Sequence, residues 1–372
     1  MPTPRKKSNS PSTSKPSGDS GDDSASGISG GWQFWIDVGG TFTDCIGRKP
    51  DGSVVSCKVS RSGVVKGAGS EGARGRHIME ARRTVMPPDF FRGYTFSLLD
   101  EDGELLSQEI IEASKPGRGE LLLTEKPSPR AREDMNYQLE SGEPAPVLGI
   151  RTLMGRRLDE PIVPKGGPPV RVRLGTTKGT NALLERKGAR IALVTTRGFG
   201  DVPEIGTQAR PDLFKLHIVK PPLLHEKVVE LDERIDASGN VITPLDAKEV
   251  ERALRALLDE EIDAIAVCLL NSYANPVHEQ LVAKIAAKLN FDQVSVSSVL
   301  SPTIKMLDRC DTALVDAYLS PVIRDYVQAV TTKMPKGSLK LMTSVGGLAA
   351  LEQCSGKESI LSGPAGGVVG FA

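Results

Sequence analysis

The sequence predicts an α/β lobe with a mixed sheet and flanking helices, and three observations predict it. Three short strand-like runs open the chain: Trp32 to Ile36, the segment after Gly39-Gly40, and Val54 to Val59 behind the turn Pro50-Asp51-Gly52-Ser53. Helix and strand patterns then alternate over 246–345. Within them, Ile262 to Leu270 is a nearly continuous apolar run, broken by Asp263, as in a parallel strand buried on both faces.

In chain order, residues 1–30 nearly lack large apolar side chains and cannot offset the entropy of ordering, so a disordered tail is expected before a folded region at 31–372. After the three strands comes a Gly/Arg-rich stretch, 62–76. Tyr94 to Leu99 and Glu104 to Ile111 read as a β-hairpin around Asp100-Glu101-Asp102-Gly103, and Glu120 to Thr124 as a further strand. A small β subdomain is therefore expected at about 85–128.

Ala145 to Leu158 has helical spacing, with Val147, Ile150, Leu153 and Met154 on one face. Pro161 to Pro169 is a linker, and Val170 to Leu174 is a strand that delivers Gly175-Thr176-Thr177 to a helix starting at Thr180. Ile191 to Val194 is a buried strand, and Val228 to Ile235 a strand ending in the turn Ser238-Gly239-Asn240. Asp246 caps a helix with Glu249 three residues on, turning Val250, Leu254, Leu257 and Leu258 inward. Asn275-Pro276 opens the next helix, and Val294 to Val296 is a strand. Thr312 to Val330 is a long core helix that Pro321 should bend. Before it, Asp308 and Asp311 could supply a general base, but Asp311 suits a helix cap better. Lys340 to Thr343 is a strand, Val345-Gly346-Gly347 a loop, Ile360-Leu361 a short strand, and Gly363-Pro364-Ala365-Gly366-Gly367 opens a last helix.

Composition narrows the function. The 372 residues carry 47 Lys+Arg against 47 Asp+Glu, so no basic surplus argues for nucleic acid. No apolar run approaches the ~20 residues of a membrane span. Arg5, Lys6 and Lys7 have no apolar segment behind them, as a secretory signal would require. The 5 cysteines (45, 57, 268, 310 and 354) are scattered, with no CxxC. That fits a reducing cytoplasm, inert thiols and no zinc site of ordinary spacing. The 4 histidines (77, 217, 225 and 278) form no pair at helical spacing and read as surface or satisfied core residues.

The segment with the most chemistry is Asp37-Val38-Gly39-Gly40-Thr41-Phe42-Thr43-Asp44. A plain Gly-Gly hairpin turn would need neither the aspartates nor the threonines. Glycines let backbone N–H groups approach phosphate oxygens, threonine hydroxyls add neutral donors, and Asp37 or Asp44 can hold a water of a phosphate-bound Mg²⁺. Gly175-Thr176-Thr177, between a strand and a helix start, either lines the same cleft or leads to a simple cap at Thr180. Arg210, in Arg210-Pro211-Asp212, either forks onto a substrate carboxylate or is an exposed loop residue.

These blocks resemble the 5-oxoprolinase / hydantoinase A / acetone carboxylase β-subunit family of the actin-like ATPase superfamily. Asp37 to Asp44 is similar to its first phosphate motif, and Leu174 to Gly188 to its GTT-x-x-TNALLERKG block. Val194 to Asp201 and Glu204 to Pro211 resemble TxGFxD and EIGxQxRP, and Ser362 to Gly370 resembles SGPAGGVxG. The likeness covers about 31–60 and 143–372, which implies that about 62–142, with its β subdomain at about 85–128, is an insertion and a peripheral decoration. It implies an actin-like (ribonuclease H-like) lobe that binds ATP and Mg²⁺ through Asp37, Gly39, Gly40, Thr41, Thr43, Asp44, Gly175, Thr176, Thr177, Gly346, Gly347, Gly363, Gly366 and Gly367, with Asp37 toward the metal. It also implies an ATP-dependent hydrolase of a cyclic amide such as 5-oxoproline or a hydantoin. The lactam oxygen attacks the γ-phosphorus and water then opens the ring. The partner implied is a hydantoinase B-type subunit or a C-terminal continuation. An ATP-dependent carboxylase subunit and a non-catalytic actin-like assembly or regulatory module are the alternatives. Two departures stand out. Val345 replaces the Asn of the family's MxSNGG, and a second Asp-Gly-Gly-Thr motif is absent from 1–372. The expectation is a truncated member, inactive alone.

Overall fold

The computed structural model describes residues 30–68, 75–79, 86–128, 136–209, 214–334, 339–350 and 355–371. The expected tail at 1–30, except Gly30, lies outside them. The first strand β1 (Trp32–Val38) turns through Gly39 and Gly40 into β2 (Phe42–Arg48), and β3 (Val54–Ser60) follows. A second sheet takes β4 (Val64–Ala68), β5 (His77–Met79), β6 (Thr95–Leu99), β7 (Leu105–Lys115), β8 (Glu120–Leu123) and β9 (Asn136–Glu140). Then come α1 (Ala145–Met154), β10 (Val170–Thr176), α2 (Lys178–Leu184), β11 (Ile191–Thr196) and α3 (Val202–Ile205). These lead to β12 (Lys227–Leu231), the hairpin β13 (Arg234–Ile235) with β14 (Val241–Thr243), α4 (Ala247–Asp259) and β15 (Ala264–Cys268). The chain continues through α5 (Val277–Lys288), β16 (Gln293–Val296), α6 (Ser297–Leu300) and the 26-residue α7 (Met306–Thr331). It closes with β17 (Leu339–Met342), β18 (Leu348–Ala350) and α8 (Ser362–Phe371).

The main sheet has the order β18-β17-β10-β1-β2-β3. β1, β10 and β17 run parallel, whereas β2 and β3 are antiparallel additions on one side. Three antiparallel strands flanked by parallel ones make the actin-like, ribonuclease H-like lobe. Alternation puts Phe34, Ile36, Val38, Val172, Leu174 and Leu341 on one face, packed against Val147 and Ile150 of α1 and Ile323, Val327 and Val330 of α7. A four-stranded parallel sheet, β12-β11-β15-β16, forms the second α/β layer. Its central strands, β11 and β15, are buried on both faces, by Val250, Leu254 and Val282 of α4 and α5 and by Ala313, Ala317 and Leu319 of α7. The long helix is thus the spine of both layers, with Pro321 between the two contact regions.

Tertiary contacts override several local signals. The β region is a six-stranded antiparallel sheet, β4-β9-β6-β7-β8-β5, reaching from Val64 to Glu140. It recruits β4 from the Gly-rich stretch because Gly67 leaves room for Tyr137: a Cβ there would lie 2.0 Å from the Tyr137 ring. The run 228–235 is two strands in two sheets, because Glu233 turns inward to His278 (2.6 Å) and Thr196. Asp311 lies inside α7, not at its cap, since the helix begins at Met306 to bury Arg309 against Ser272 and the Leu269 carbonyl. Thr180 lies inside α2 and not at its start. Ile360-Leu361 is no strand: Thr180 donates its hydroxyl to the Ile360 carbonyl, and the Leu361 N–H is taken by Ser344 Oγ (3.1 Å).

Gly149 shows how tightly α1 seats on the main sheet. A Cβ there would come 2.3 Å from Cys45 Sγ. Gly149→Ala is expected to cost about 1–3 kcal/mol through overpacking, read as a lower urea midpoint at unchanged m-value.

Candidate functional site

The carboxyl ends of the parallel strands β1, β10 and β17 meet at one edge of the main sheet, the edge where open α/β sheets bind ligands. At the end of β1 the Gly39 N–H closes the turn on the Phe42 carbonyl (2.9 Å). Gly40 and Thr41 are exposed at its tip. A Cβ on Gly39 would crowd the Phe42 oxygen at 3.1 Å, whereas one on Gly40 meets only Asn181 Nδ2, at 4.0 Å. The space above Gly40 is open, so a group can approach the backbone there.

Long-range hydrogen bonds tie the strand ends together. Thr177 donates both its N–H (2.9 Å) and its hydroxyl (3.1 Å) to the Val38 carbonyl. Asn181 Nδ2 donates to Thr177 Oγ1 (3.1 Å), and the Lys178 N–H to Thr176 Oγ1 (3.0 Å). Ser362, buried at the start of α8, donates to the Thr176 carbonyl (2.7 Å). Gly363 sits against Thr177, where a Cβ would lie 3.0 Å from Cγ2. Gly366 packs on Met342, at the end of β17. Gly346 and Gly347 form the β17–β18 turn, in which Thr343 N–H donates to the Gly347 carbonyl (2.9 Å) and Gly346 has φ 84, a left-handed conformation natural to glycine. Gly367 belongs to α8. Val345, at 90% exposed, contributes no packing.

Asp37 and Asp44 face each other across the β1–β2 ladder on the exposed side of the sheet. Asp37 also lies over Gly175, where a Cβ would be 3.4 Å from Oδ1. Its carboxyl is held above the ordinary range, first by partial burial and then by the charge of Asp44. Asp44 is ion-paired with Lys58 of β3 at 3.2 Å. The two carboxylates are hard oxygen donors, and among the described residues no cluster of three or more metal-ligating side chains exists. That donor set fits Mg²⁺, which binds through one or two carboxylates, waters and phosphate oxygens rather than a protein cage.

Thr43 does not join this surface. Strand alternation turns it into the core, where it is 0% exposed and its hydroxyl has no partner. Arg210 lies outside the described residues. Arg61 is a brace the sequence reading missed: its N–H donates to the Thr41 carbonyl (2.9 Å) and its guanidinium to the Gly40 carbonyl (3.2 Å). Nothing local marks it, since it follows β3 outside any motif.

The raised Asp37 pKa gives a stability test. The folded state holds this proton more tightly than the unfolded chain, whose carboxyl titrates near the ordinary 3.8. The stabilisation is therefore full below that value and lost as pH rises through the folded value, leaving a penalty at neutral pH. Asp37→Asn should raise the melting temperature at pH 7, and the gain should vanish in acid, as measured by calorimetry across pH.

Comparison with known proteins agrees with this geometry. The chain matches the family described as "Hydantoinase/oxoprolinase N-terminal region" over residues 124–290 and "Hydantoinase/oxoprolinase" over 309–372. It is 42% identical over 255 residues to 5-oxoprolinase 1 of Arabidopsis thaliana, a match covering 61% of this chain and 20% of the relative. The chain thus spans about a fifth of the length of the curated 5-oxoprolinases it matches. Its fold is similar to the nucleotide-free structure of acetone carboxylase, with TM-score 0.59 and 18% identity over 91% of this chain and 40% of that one. It is also similar to the ATP-dependent caprolactamase of Pseudomonas jessenii, with TM-score 0.54 and 21% identity over 90% of this chain and 39% of that one. With two regions of one family matched in order and the strand-end motifs converging on one edge, the chain belongs to the hydantoinase/oxoprolinase family.

Proposed function

We propose that this chain supplies the ATP-binding N-terminal part of an enzyme that opens a cyclic amide, 5-oxoproline or a hydantoin, at the expense of ATP. The observation that carries the reading is the convergence of the β1, β10 and β17 ends, with open space over Gly40 and Asp37 beside Asp44. In this reading the Gly40 and Thr41 N–H groups meet phosphate oxygens, and Thr176 and Thr177 fix the opposite wall. Asp37 orients a water on Mg²⁺, and Arg61 holds the loop in shape from behind. Mg²⁺, when bound, neutralises phosphate charge and favours the ionised form of Asp37, relieving its penalty. Arg210 is kept as a candidate for the substrate carboxylate. The small-molecule substrate, a hydantoinase B-type subunit or C-terminal continuation as partner, and a cytoplasmic setting belong to the same proposal. Among the described residues no helix is long and apolar enough to cross a membrane, and Cys45, Cys57, Cys268 and Cys310 are free thiols.

The test is ADP release from Mg·ATP by this chain combined with a hydantoinase B-type subunit. Stimulation by 5-oxoproline or hydantoin, and none by acetone with bicarbonate, is the expected result. Stimulation by the ketone alone would replace the hydrolase reading with the carboxylase one. ATP binding with no stimulation by any of them would favour an assembly or regulatory module.

A further inference from the structure

Cys45 and Cys57 stand directly opposite each other across the β2–β3 ladder. Opposed residues in an antiparallel pair have Cα atoms about 4.5 or 5.5 Å apart, and a disulfide accepts about 4.4–6.8 Å, so either type of pair can be bridged without moving the backbone. Their surroundings differ. Cys45 is 0% exposed beneath Gly149 of α1. Cys57 is half-buried and lines a 660 Å³ groove between β3, α1 and the second sheet, whose apolar wall includes Val65, Met86, Phe90 and Tyr94. Cys57 is held in place by a weak bond from Sγ to the Gly149 carbonyl (3.6 Å).

We infer that Cys45 and Cys57 form a redox modification site, in which a small hydroperoxide entering this groove oxidises the pair to a cross-strand disulfide. The roles follow from access. Cys57 opens onto the groove, whereas Cys45 is sealed beneath α1 and can be reached only through Cys57. The Cys57 thiolate attacks the terminal peroxide oxygen, the O–O bond breaks, and the leaving alkoxide or hydroxide takes a proton to depart as alcohol or water. Cys57 is left as a sulfenic acid. The Cys45 sulfur then attacks the Cys57 sulfur, giving up its proton as the S–O bond breaks and a second water leaves. Two thiols lose two hydrogens and two electrons to the peroxide, and the S–S bond forms. The Asp44–Lys58 ion pair occupies the next ladder position, so the staple would lie one residue from the phosphate loop. A second pair of buried free thiols, Cys268 and Cys310, serves as an internal control. It is 0% and 1% exposed and lies outside the 660 Å³ groove, and Cys268 donates to the Met306 carbonyl (3.7 Å).

The experiment is non-reducing peptide mapping of the purified chain after stoichiometric hydrogen peroxide or tert-butyl hydroperoxide. A linked peptide joining Cys45 to Cys57, removed by dithiothreitol, with Cys268 and Cys310 still alkylatable, is expected. Cys45→Ser should trap Cys57 as a dimedone-reactive sulfenic acid, and Cys57→Ser should slow oxidation of Cys45 about tenfold or more. The wild-type map needs no variant to fold. Cys57 remaining a thiol, Cys57 driven to sulfinic acid without a link, or a link from Cys57 to Cys354 would each overturn the inference.

Discussion

Glu143→Ala is expected to destabilise the protein by about 3–5 kcal/mol, the cost of leaving one member of a buried ion pair alone. Arg151 grips the Glu143 carboxylate with two bonds, of 2.6 and 2.9 Å, and spends its third nitrogen on the carbonyls of Arg157 and Glu160. Both side chains of the pair are nearly inaccessible, at 5% and 3%. Glu143 lies in the turn between β9 and α1, and its carbonyl lies where a Cβ on Gly63 would come within 2.7 Å. The pair therefore joins the second sheet to the helix that seats on the main one. Removing the carboxylate leaves a buried guanidinium without its counter-charge. Urea unfolding should show the loss, and replacing both members by Met should restore much of it, because a packed apolar pair carries no unpaired charge. A midpoint within error of wild type for Glu143→Ala would mean that water reaches this seam.

Gly40→Val is the second large effect, on binding rather than on folding. The site for the new side chain is open on the protein side, with only Asn181 Nδ2 at 4.0 Å, so the melting temperature should barely move. The added methyls would occupy the space through which a phosphate approaches the loop N–H groups. Affinity for Mg·ATP should fall about tenfold or more, equivalent to about 1.4 kcal/mol, by isothermal titration. Unchanged affinity with unchanged stability would place the nucleotide elsewhere.

The turns at the strand ends were legible where their code is local. A strand ending in Asp-Val-Gly-Gly-Thr declares its turn through residue types, and so does the strand that delivers Gly175-Thr176-Thr177. Thr43 went wrong for want of register. Val38 pairs with Thr43, so the hydroxyl follows Val38 into the core while Asp37 and Asp44 share the outer face. That pairing depends on the length of the turn, which the motif alone does not fix. The contact of Ser362 with Thr176 spans 186 residues, and Arg61 acts through backbone carbonyls. Neither leaves a pattern in its own neighbourhood. The β region was read from its hairpin, but β4 and β9 pair at long range, and Gly67 is explained only once Tyr137 lies over it.

The central claim is that three strand ends separated in sequence form one phosphate site, and hydrogen–deuterium exchange with and without Mg·ATP tests it most directly. The account predicts slowed exchange together in three segments, 38–44, 175–181 and 342–347, with AMP giving little of it because the β- and γ-phosphates are missing. Protection confined to the groove beside Cys57, Phe90 and Tyr94, with those three segments unchanged, would contradict it.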